Sequence, residues 1–239
     1  MKKERVFEYQ QRVLAALANR IDDFYLGAGT ALSLFYFQHR VSVDLDFFAP
    51  HFSFQRVKEI ISFLKQSLKK EIRLVGQSAQ SGKARMQVYH VLFTKKDILK
   101  LDFIEDPFER VKKPKIVDGI AVSTLEDIYI RKLYALVGVM PVIDVVGKTR
   151  VVGGRTEAKD FYDIYVLSTV FMPVSKFIHK YADQITREGF ISWFRTYDRM
   201  QVIDGLLNLD IDRETDYKRI ERHFMQEIDK MIKSSLEKI

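Results

Sequence analysis

Cysteine is absent from the 239-residue sequence. This absence excludes disulfide bonds, thiolate zinc sites and a cysteine nucleophile. Long apolar runs are absent as well, since none approaches the ~20 residues that a transmembrane helix requires. The N-terminal segment Met1–Arg5 is basic, but mixed sequence follows it rather than the apolar core of a signal peptide. We therefore expect a soluble cytoplasmic protein with no membrane partner.

The composition is that of a folded protein with an excess of positive charge. Hydrophobic residues make up 47% of the chain, which suffices for one large domain or two small lobes. The formal net charge of +7 is compatible with an anionic partner such as RNA. The charge alone does not identify that partner, because its distribution matters more than its sum.

The first half of the chain alternates between helical and strand-like patterns. Apolar spacing predicts helices over 5–19 and 54–68, and the run 31–37 predicts a buried helix after the small-residue turn Gly27–Thr30. Strand-like patterns cover 21–26, 41–48, 71–76, 85–93 and 98–104. Because several of these strands are close in sequence, a mixed sheet is favoured over a purely parallel one.

The second half of the chain is helical in pattern. Ser123–Glu126 has the form of a capping box and predicts a helix over 123–137. The Gly- and Val-rich segment 138–154 predicts a loop. Further helices are predicted over 156–169, 174–183, 187–195, 199–207 and 213–237. The predicted class is therefore α+β, with a mixed-sheet lobe over 1–120 and a helical lobe over 121–239.

One predicted strand carries two acidic residues in an otherwise apolar stretch. Asp44 and Asp46 are two residues apart and therefore project to the same face. Val43, Leu45 and Phe47 are expected to pack on the opposite face. Adjacent carboxylates repel each other and lose hydration on burial, and a divalent cation such as Mg²⁺ or Mn²⁺ relieves both effects. The alternative is an edge strand whose aspartates face water.

Two further features favour a phosphate and metal site. A turn that begins a helix offers backbone N–H groups to phosphate, so Gly29 and Thr30 are expected to hold the phosphate tail of a nucleotide. Asp102 interrupts a second apolar strand, and it joins the two aspartates if the strands pair. Glu105 is the alternative third acid, but it follows the apolar run and is expected to face solvent. Two-metal phosphoryl or nucleotidyl transfer requires such a set of carboxylates.

Lys132 falls near the centre of the apolar face of its predicted helix. Its ammonium either reaches the rim of the interface between the lobes or enters the cleft between them to contact nucleotide phosphates. Asp160 and Asp163 lie on one side of a later helix. These acids either are stabilised by the helix dipole, pair with Arg131 or Arg155, or belong to the site.

Together these motifs resemble those of DNA polymerase β-like nucleotidyltransferases, and more narrowly the AbiEii/MenT-like toxins of abortive-infection and toxin–antitoxin systems. Leu26–Leu32 is similar to that family's Gly-Gly-Thr-Ala-Leu element, and His39–Phe48 to its R-x-S-x-D-L-D-F-F core. Arg131–Leu136 matches its helical lysine element, and Lys159–Tyr165 its (R/K)-D-x-x-D-L element. The resemblance covers about residues 24–170.

The resemblance implies a metal-dependent enzyme that moves a nucleoside monophosphate from an NTP to an acceptor. For some family members the acceptor is the 3′ end of tRNA, and a cognate antitoxin is implied as a partner. Asp44 and Asp46 would bind Mg²⁺ or Mn²⁺, Lys132 would contact the NTP phosphates, and Asp160 or Asp163 would complete the cleft. The wider superfamily suggests Asp102 as a third metal ligand or as the catalytic base.

Two departures from the family pattern are visible. Ala28 stands where the family commonly has glycine, and the segment 138–154 is longer than usual. Lys148, Arg150 and the adjoining Arg155 are either substrate contacts or part of a solvated insertion. The alternatives to an RNA-modifying enzyme are a nucleotidyltransferase acting on a small molecule, a binding protein that regulates through nucleotide or RNA, and a metal-dependent nuclease or phosphatase.

Overall fold

The computed structural model describes residues 3–81, 83–143, 145–147, 149–211 and 216–236, with only the backbone of the last two. Most of the first half of the chain forms one compact unit, and most of the second half forms another. The first unit comprises Met1–Phe37 and Val41–Thr124, and the second comprises Gln38–Arg40 and Leu125–Ile239. Three residues from the first half of the sequence therefore belong to the second unit.

The first unit is built from a sheet and the helices that precede and interrupt it. Its helices are α1 (Lys3–Leu17), α2 (Ala28–Leu32), which continues as a π-helical segment over Ser33–Phe37, and α3 (Phe54–Leu68). Its strands are β1 (Tyr25–Leu26), β2 (Asp44–Ala49), β3 (Glu71–Ser78), β4 (Met86–Leu92), β5 (Ile98–Glu105), β6 (Lys115–Val117) and β7 (Ile120–Val122). Helices α1 and α3 pack together, α1 against β5 and α3 against β3.

The seven strands form one sheet in the order β3-β4-β5-β2-β1-β7-β6. Strand β2 is parallel to β5 and β1 is parallel to β7, whereas the other neighbours are antiparallel. The predicted mixed sheet is thus confirmed. Alternate residues of the central strands are fully buried, and the rings of Phe47 and Phe103 stack with their centroids 5.3 Å apart. Apolar burial on one face fixes the register of the strands that carry the acidic residues.

The second unit is largely helical. It contains α4 (Leu125–Val137), β8 (Gly138–Ile143), β9 (Thr149–Gly153), α5 (Ala158–Val166) with a π-helical continuation over Leu167–Phe171, α6 (Val174–Tyr181), α7 (Gln184–Thr196), α8 (Arg199–Leu207) and α9 (Tyr217–Leu236). Aromatic rings from α5, α7 and α9 surround Phe161 and Phe224 in its core. Among the described helices, none alone has the length and apolar character to cross a membrane, and the one adjoining pair that reaches them together is bent by 91°.

The prediction of a loop over 138–154 is wrong, because this segment forms the antiparallel hairpin β8–β9. Its many β-branched residues favour extended backbone, and glycines stand where that backbone turns sharply. Gly138 has φ +86°, and a Cβ there would lie 2.2 Å from the carbonyl oxygen of Val152. Val145 and Ile143 are exposed on the hairpin. Lys148 lies outside the described residues.

Several element boundaries differ from the predicted ones. The strand expected over 21–26 contains only Tyr25 and Leu26, and the helix expected from residue 31 begins at Ala28. The strand expected over 41–48 begins at Asp44, and Val43, predicted to be packed, is 51% exposed. The short strands β6 and β7 carry too few residues to show a period in the sequence. The start of the predicted helix 213–237 lies outside the described residues.

Ala28 begins α2 with φ +55°, a left-handed conformation in which an L side chain is strained. The preceding Gly27 is closely packed, because a Cβ there would lie 2.9 Å from the ring of Phe48. This close packing holds the turn in place, so the strain falls on Ala28. Glycine adopts this backbone conformation without that strain.

We expect Ala28→Gly to stabilise the protein by about 0.5–1 kcal/mol. Removing the Cβ relieves ~1–2 kcal/mol of left-handed strain, and the greater freedom of glycine in the unfolded chain offsets about 0.5–1 kcal/mol of that gain. Ala31→Gly is the matched control, because Ala31 is fully buried in the same helix and should lose stability. Chemical denaturation measures both changes, and a destabilised Ala28→Gly protein would contradict the strain.

Candidate active site

The acidic residues of the first unit are brought together by the pairing of β2 with β5. Asp44 and Asp46 alternate with the fully buried Leu45 and Phe47, so both carboxylates lie on the half-exposed face of β2. In the parallel register Asp46 is opposite Asp102. Asp102 was predicted to join the two aspartates if their strands pair. The strands do pair.

Lys100 lies on the same face of the sheet as Asp44, Asp46 and Asp102, which together form the acidic face. It is opposite Asp44 in the register, two residues before Asp102 on β5. Its Nζ is 2.6 Å from Asp102 Oδ2 and 3.8 Å from Asp44 Oδ2. Burial alone would lower the pKa of Lys100, but the contact with Asp102 and the charges of the aspartates raise it. The ammonium is therefore a permanent charge at neutral pH.

Asp102 is the most buried acid of this face, with 6% of its surface exposed. Burial raises the pKa of its carboxyl, the contact with Lys100 lowers it in part, and the charge of Asp44 raises it further. Its Oδ2 accepts from Lys100, whereas its buried Oδ1 has no hydrogen-bond partner among the described residues. A buried carboxylate oxygen without a donor is costly unless something binds there.

Buried polar residues hold the backbone at Asp44. The Thr30 hydroxyl donates to the Asp44 carbonyl oxygen at 2.6 Å and lies 2.7 Å from Ser42 Oγ. Gln10 Nε2 of α1 donates to the carbonyl oxygens of Ser42 at 2.8 Å and Asp44 at 3.2 Å. Gly29 is buried beside Thr30 in the first turn of α2. The Thr30 side chain thus positions the acidic strand. The sequence predicted a phosphate contact for Thr30 and did not predict this structural role.

The oxygen donors of this face fit a hard divalent cation in their chemistry. The buried Oδ1 of Asp102 supplies an acceptor for which the described residues provide no donor. In the part of the chain that the structure describes, however, no group of three or more His, Asp or Glu side chains is arranged as a metal site. Lys100 contacts two of these acids, and metal binding through Asp44, Asp46 and Asp102 stays a prediction.

The second unit contains a buried ionic cluster centred on Asp163. Its Oδ1 accepts from Arg40 Nε at 2.7 Å and lies 2.7 Å from His39 Nε2, and Arg40 also donates to Oδ2 at 2.8 Å. Lys132 Nζ lies 2.7 Å from Asp163 Oδ2 and donates to Asp160 Oδ1 at 2.5 Å. All five side chains are buried, and both aspartates have no exposed side-chain surface.

Arg155 completes the cluster by donating to Asp160 Oδ2 at 2.7 Å. Burial would raise the pKa values of both aspartate carboxyls, but the charge of Lys132 overcomes it, so the pKa of Asp160 is lowered and that of Asp163 lies well below its usual range. Conversely, burial would lower the pKa of Lys132, whereas the two carboxylates raise it. Lys132 and the two aspartates are therefore ionised at neutral pH.

The structure decides some of the alternatives that the sequence left open. Asp160 pairs with Arg155, as one interpretation predicted. Lys132 has 6% of its surface exposed and binds the two acids. Its predicted contact with nucleotide phosphates stays a prediction. Sequence reasoning missed Arg40 and Lys100 as charged partners of the predicted acids, although Arg40 stands in the quoted motif and Lys100 lies two residues from Asp102.

Comparisons with known proteins show a family and a fold. The model of the family described as nucleotidyl transferase AbiEii toxin, Type IV TA system, matches residues 12–238. JHP933 from Helicobacter pylori is similar in structure with a TM-score of 0.59 and 17% identity, covering 99% of this chain and 97% of that one. MenT4, a nucleotidyltransferase toxin from Mycobacterium tuberculosis, gives 0.52 and 13%, covering 94% and 82%. At these identities the structures show the fold alone. A search of curated proteins found no match.

We expect Asp163→Asn to destabilise the protein by about 3–5 kcal/mol, the range for removing one partner from a buried ion pair. The amide would leave Arg40 and Lys132 buried with only part of their counter-charge. Glu71→Gln is the matched control, because the pair of Glu71 with Arg73 is exposed and should contribute less than about 1 kcal/mol. Urea denaturation measures both variants, and equal losses would contradict the importance of the buried cluster.

The same cluster predicts how stability depends on acid. The pKa values of Asp160 and Asp163 are lower in the folded protein than in the unfolded chain, so the unfolded chain binds more protons below its own pKa of about 4. Their contribution is therefore complete above that pH and is lost as the pH falls towards the folded pKa values. Unfolding free energies between pH 6 and about 3 should fall less steeply in Asp163→Asn than in the wild-type protein, and parallel curves would contradict this.

Proposed function

Because the chain belongs to the AbiEii family of nucleotidyltransferase toxins, we propose that it transfers a nucleoside monophosphate from an NTP to an RNA acceptor, with tRNA as the first candidate, in a reaction that requires Mg²⁺ or Mn²⁺. The observation that carries this proposal is the register of β2 and β5, which sets Asp46 beside Asp102 and Asp44 two residues away on the same face. The family's description as a toxin–antitoxin system supports an antitoxin as a further partner.

Asp44, Asp46 and Asp102 are the residues that would hold the divalent ions. When bound, such ions neutralise the phosphate charge and stabilise the negative charge that develops on the attacking and leaving oxygens. The parallel strands supply rigidity, because Leu45 and Phe47 lock β2 from its buried face and Thr30 holds its backbone. A site on central strands keeps its geometry better than one on loops.

The reaction forms one phosphorus–oxygen bond and breaks another. A hydroxyl oxygen of the acceptor attacks the α-phosphorus of the NTP, and the bond to the bridging oxygen breaks as pyrophosphate leaves. Asp102 is the proposed acceptor of the hydroxyl proton, because it is the most buried acid of the face and its Oδ1 has no hydrogen-bond partner among the described residues. Gly29 and its neighbours in the turn are proposed to bind the phosphate tail through backbone N–H groups.

The ionic cluster of the second unit is the proposed source of positive charge for the triphosphate. Lys132 is buried with its charge balanced by Asp160 and Asp163, so phosphate binding would require it to exchange part of that pairing. Asp160 and Asp163 then keep the ammonium protonated and oriented. An acceptor with a phosphate backbone is preferred over a small cationic acceptor, because the formal net charge of the chain is +7.

We expect Asp46→Asn to lower nucleotide transfer by at least about 100-fold, the scale of loss when a group that stabilises transition-state charge is removed. The assay incubates purified protein with Mg²⁺, each α-³²P-labelled NTP in turn, and total tRNA. Asp22→Asn is the control for loss of one aspartate charge, because Asp22 is exposed in the same unit. Circular dichroism of both variants verifies that the fold is retained.

The location of the label separates the proposed function from its alternatives. Label in tRNA that is lost in Asp46→Asn supports an RNA nucleotidyltransferase, and the labelled NTP identifies the base. Label in a small molecule or a protein instead would keep the chemistry and replace the acceptor. Wild-type protein that transfers label to nothing, or Asp46→Asn protein with appreciable activity, would refute the assignment.

A further inference from the structure

We propose that Lys100 is a built-in counter-ion that occupies the cation position of the acidic face when no metal is bound, and that it has to leave this position for a divalent ion to enter. Lys100 thereby sets the affinity of the site for metal. The proposal rests on the proposed function only in taking Asp44, Asp46 and Asp102 as the ligands. It assigns a role to a side chain that is not itself a metal ligand.

The strand register creates the need for such a counter-ion. Asp44, Asp46 and Asp102 lie on one face of two adjacent parallel strands, where their negative charges repel one another. Lys100 occupies the remaining position of this two-by-two arrangement, opposite Asp44. Its Nζ lies 2.6 Å from Asp102 and 3.8 Å from Asp44, so it neutralises part of the charge without any bound ion.

The neutralisation by Lys100 is incomplete. Lys100 carries one positive charge against three carboxylates, and its hydrogen bond satisfies only Oδ2 of Asp102. Oδ1 of the same carboxylate is buried and has no partner among the described residues. A divalent ion brings twice the charge and binds several oxygens at once, which an ammonium with three N–H donors does not reproduce. Lys100 therefore leaves the buried Oδ1 of Asp102 as an acceptor for a cation that binds several oxygens.

The Lys100 side chain is exposed enough to move away from the aspartates. Its side chain is 38% exposed, whereas the side chain of Asp102 that it contacts is 8% exposed. Because a lysine stem has several freely rotating bonds, the ammonium can swing into solvent while the strands stay fixed. Lys132 differs in this respect, since its side chain is 7% exposed and bridges two buried carboxylates. Of these two lysines, Lys100 is the one suited to exchange with an ion.

Removal of the competing charge should strengthen metal binding. We expect Lys100→Met to bind Mn²⁺ at least about fivefold more tightly than the wild-type protein, at the lower end of the usual range for coupled binding events. Lys100→Arg keeps the charge and should bind Mn²⁺ no more tightly than wild type. Lys70→Met is the control for loss of a lysine, because Lys70 donates to the Phe93 carbonyl oxygen rather than to a carboxylate.

The experiment titrates Mn²⁺ into each protein without NTP at pH 7 and measures free Mn²⁺ by electron paramagnetic resonance. Asp46→Asn is included as the variant that lacks a proposed ligand. The expected order of affinity is Lys100→Met above wild type and Lys70→Met, with Asp46→Asn weakest. Thermal unfolding with and without Mn²⁺ gives a second readout, in which Lys100→Met should be less stable than wild type without the ion and gain more from it.

The outcomes show whether the role of Lys100 fails alone or together with the proposed metal ligands. If Asp46→Asn loses Mn²⁺ binding while Lys100→Met binds as wild type does, or more weakly, the role of Lys100 is overturned and the metal site stands. If Lys100→Arg binds as tightly as Lys100→Met, charge is not the cause and the inference also fails. If Asp46→Asn binds as well as wild type, the proposed metal ligands are wrong and both proposals fall. Lys100→Gln replaces Lys100→Met if the methionine variant does not fold.

Discussion

The parallel pairing of β2 with β5 determines where the charged groups of the sheet lie. These strands are far apart in sequence, and their pairing is enforced by apolar residues on the buried face, among them Leu45, Phe47 and Phe103. A shift of one residue would carry this apolar set to the solvent side and the aspartates into the core. The hydrophobic face therefore specifies the geometry of the acidic face, although no apolar residue belongs to the candidate site.

The acidic face and the buried cluster both hold carboxylates close together, but cationic side chains compensate their charges differently. On the sheet, three carboxylates share one half-exposed lysine, which leaves a buried oxygen unsatisfied. In the second unit, Asp160 and Asp163 are surrounded by more cationic groups than they can neutralise. The first arrangement leaves a buried acceptor for a further cation, whereas the second holds its carboxylates through several buried ionic contacts.

Two strong local patterns in the sequence predicted their elements correctly. Alternation on β2 predicted that Asp44 and Asp46 share a face, and the apolar period of α3 predicted that helix at its observed limits. Contacts between distant residues were not predictable in the same way. Nothing near Asp163 indicates that it binds His39 and Arg40, 124 and 123 residues earlier. The hairpin β8–β9 was missed because its glycines and Pro141 are typical of loops, although the segment pairs as two strands.

The assignment of Gln38–Arg40 to the second unit has a consequence for how the protein can be divided. A fragment that begins at Leu125 would contain Asp163 and Lys132 but neither His39 nor Arg40, so its buried carboxylate would lack two of its partners. The second unit is therefore not encoded by one continuous stretch of sequence. Recombination between relatives that exchanged the second half alone would separate Arg40 from the aspartate with which it pairs, unless both parents kept that pair.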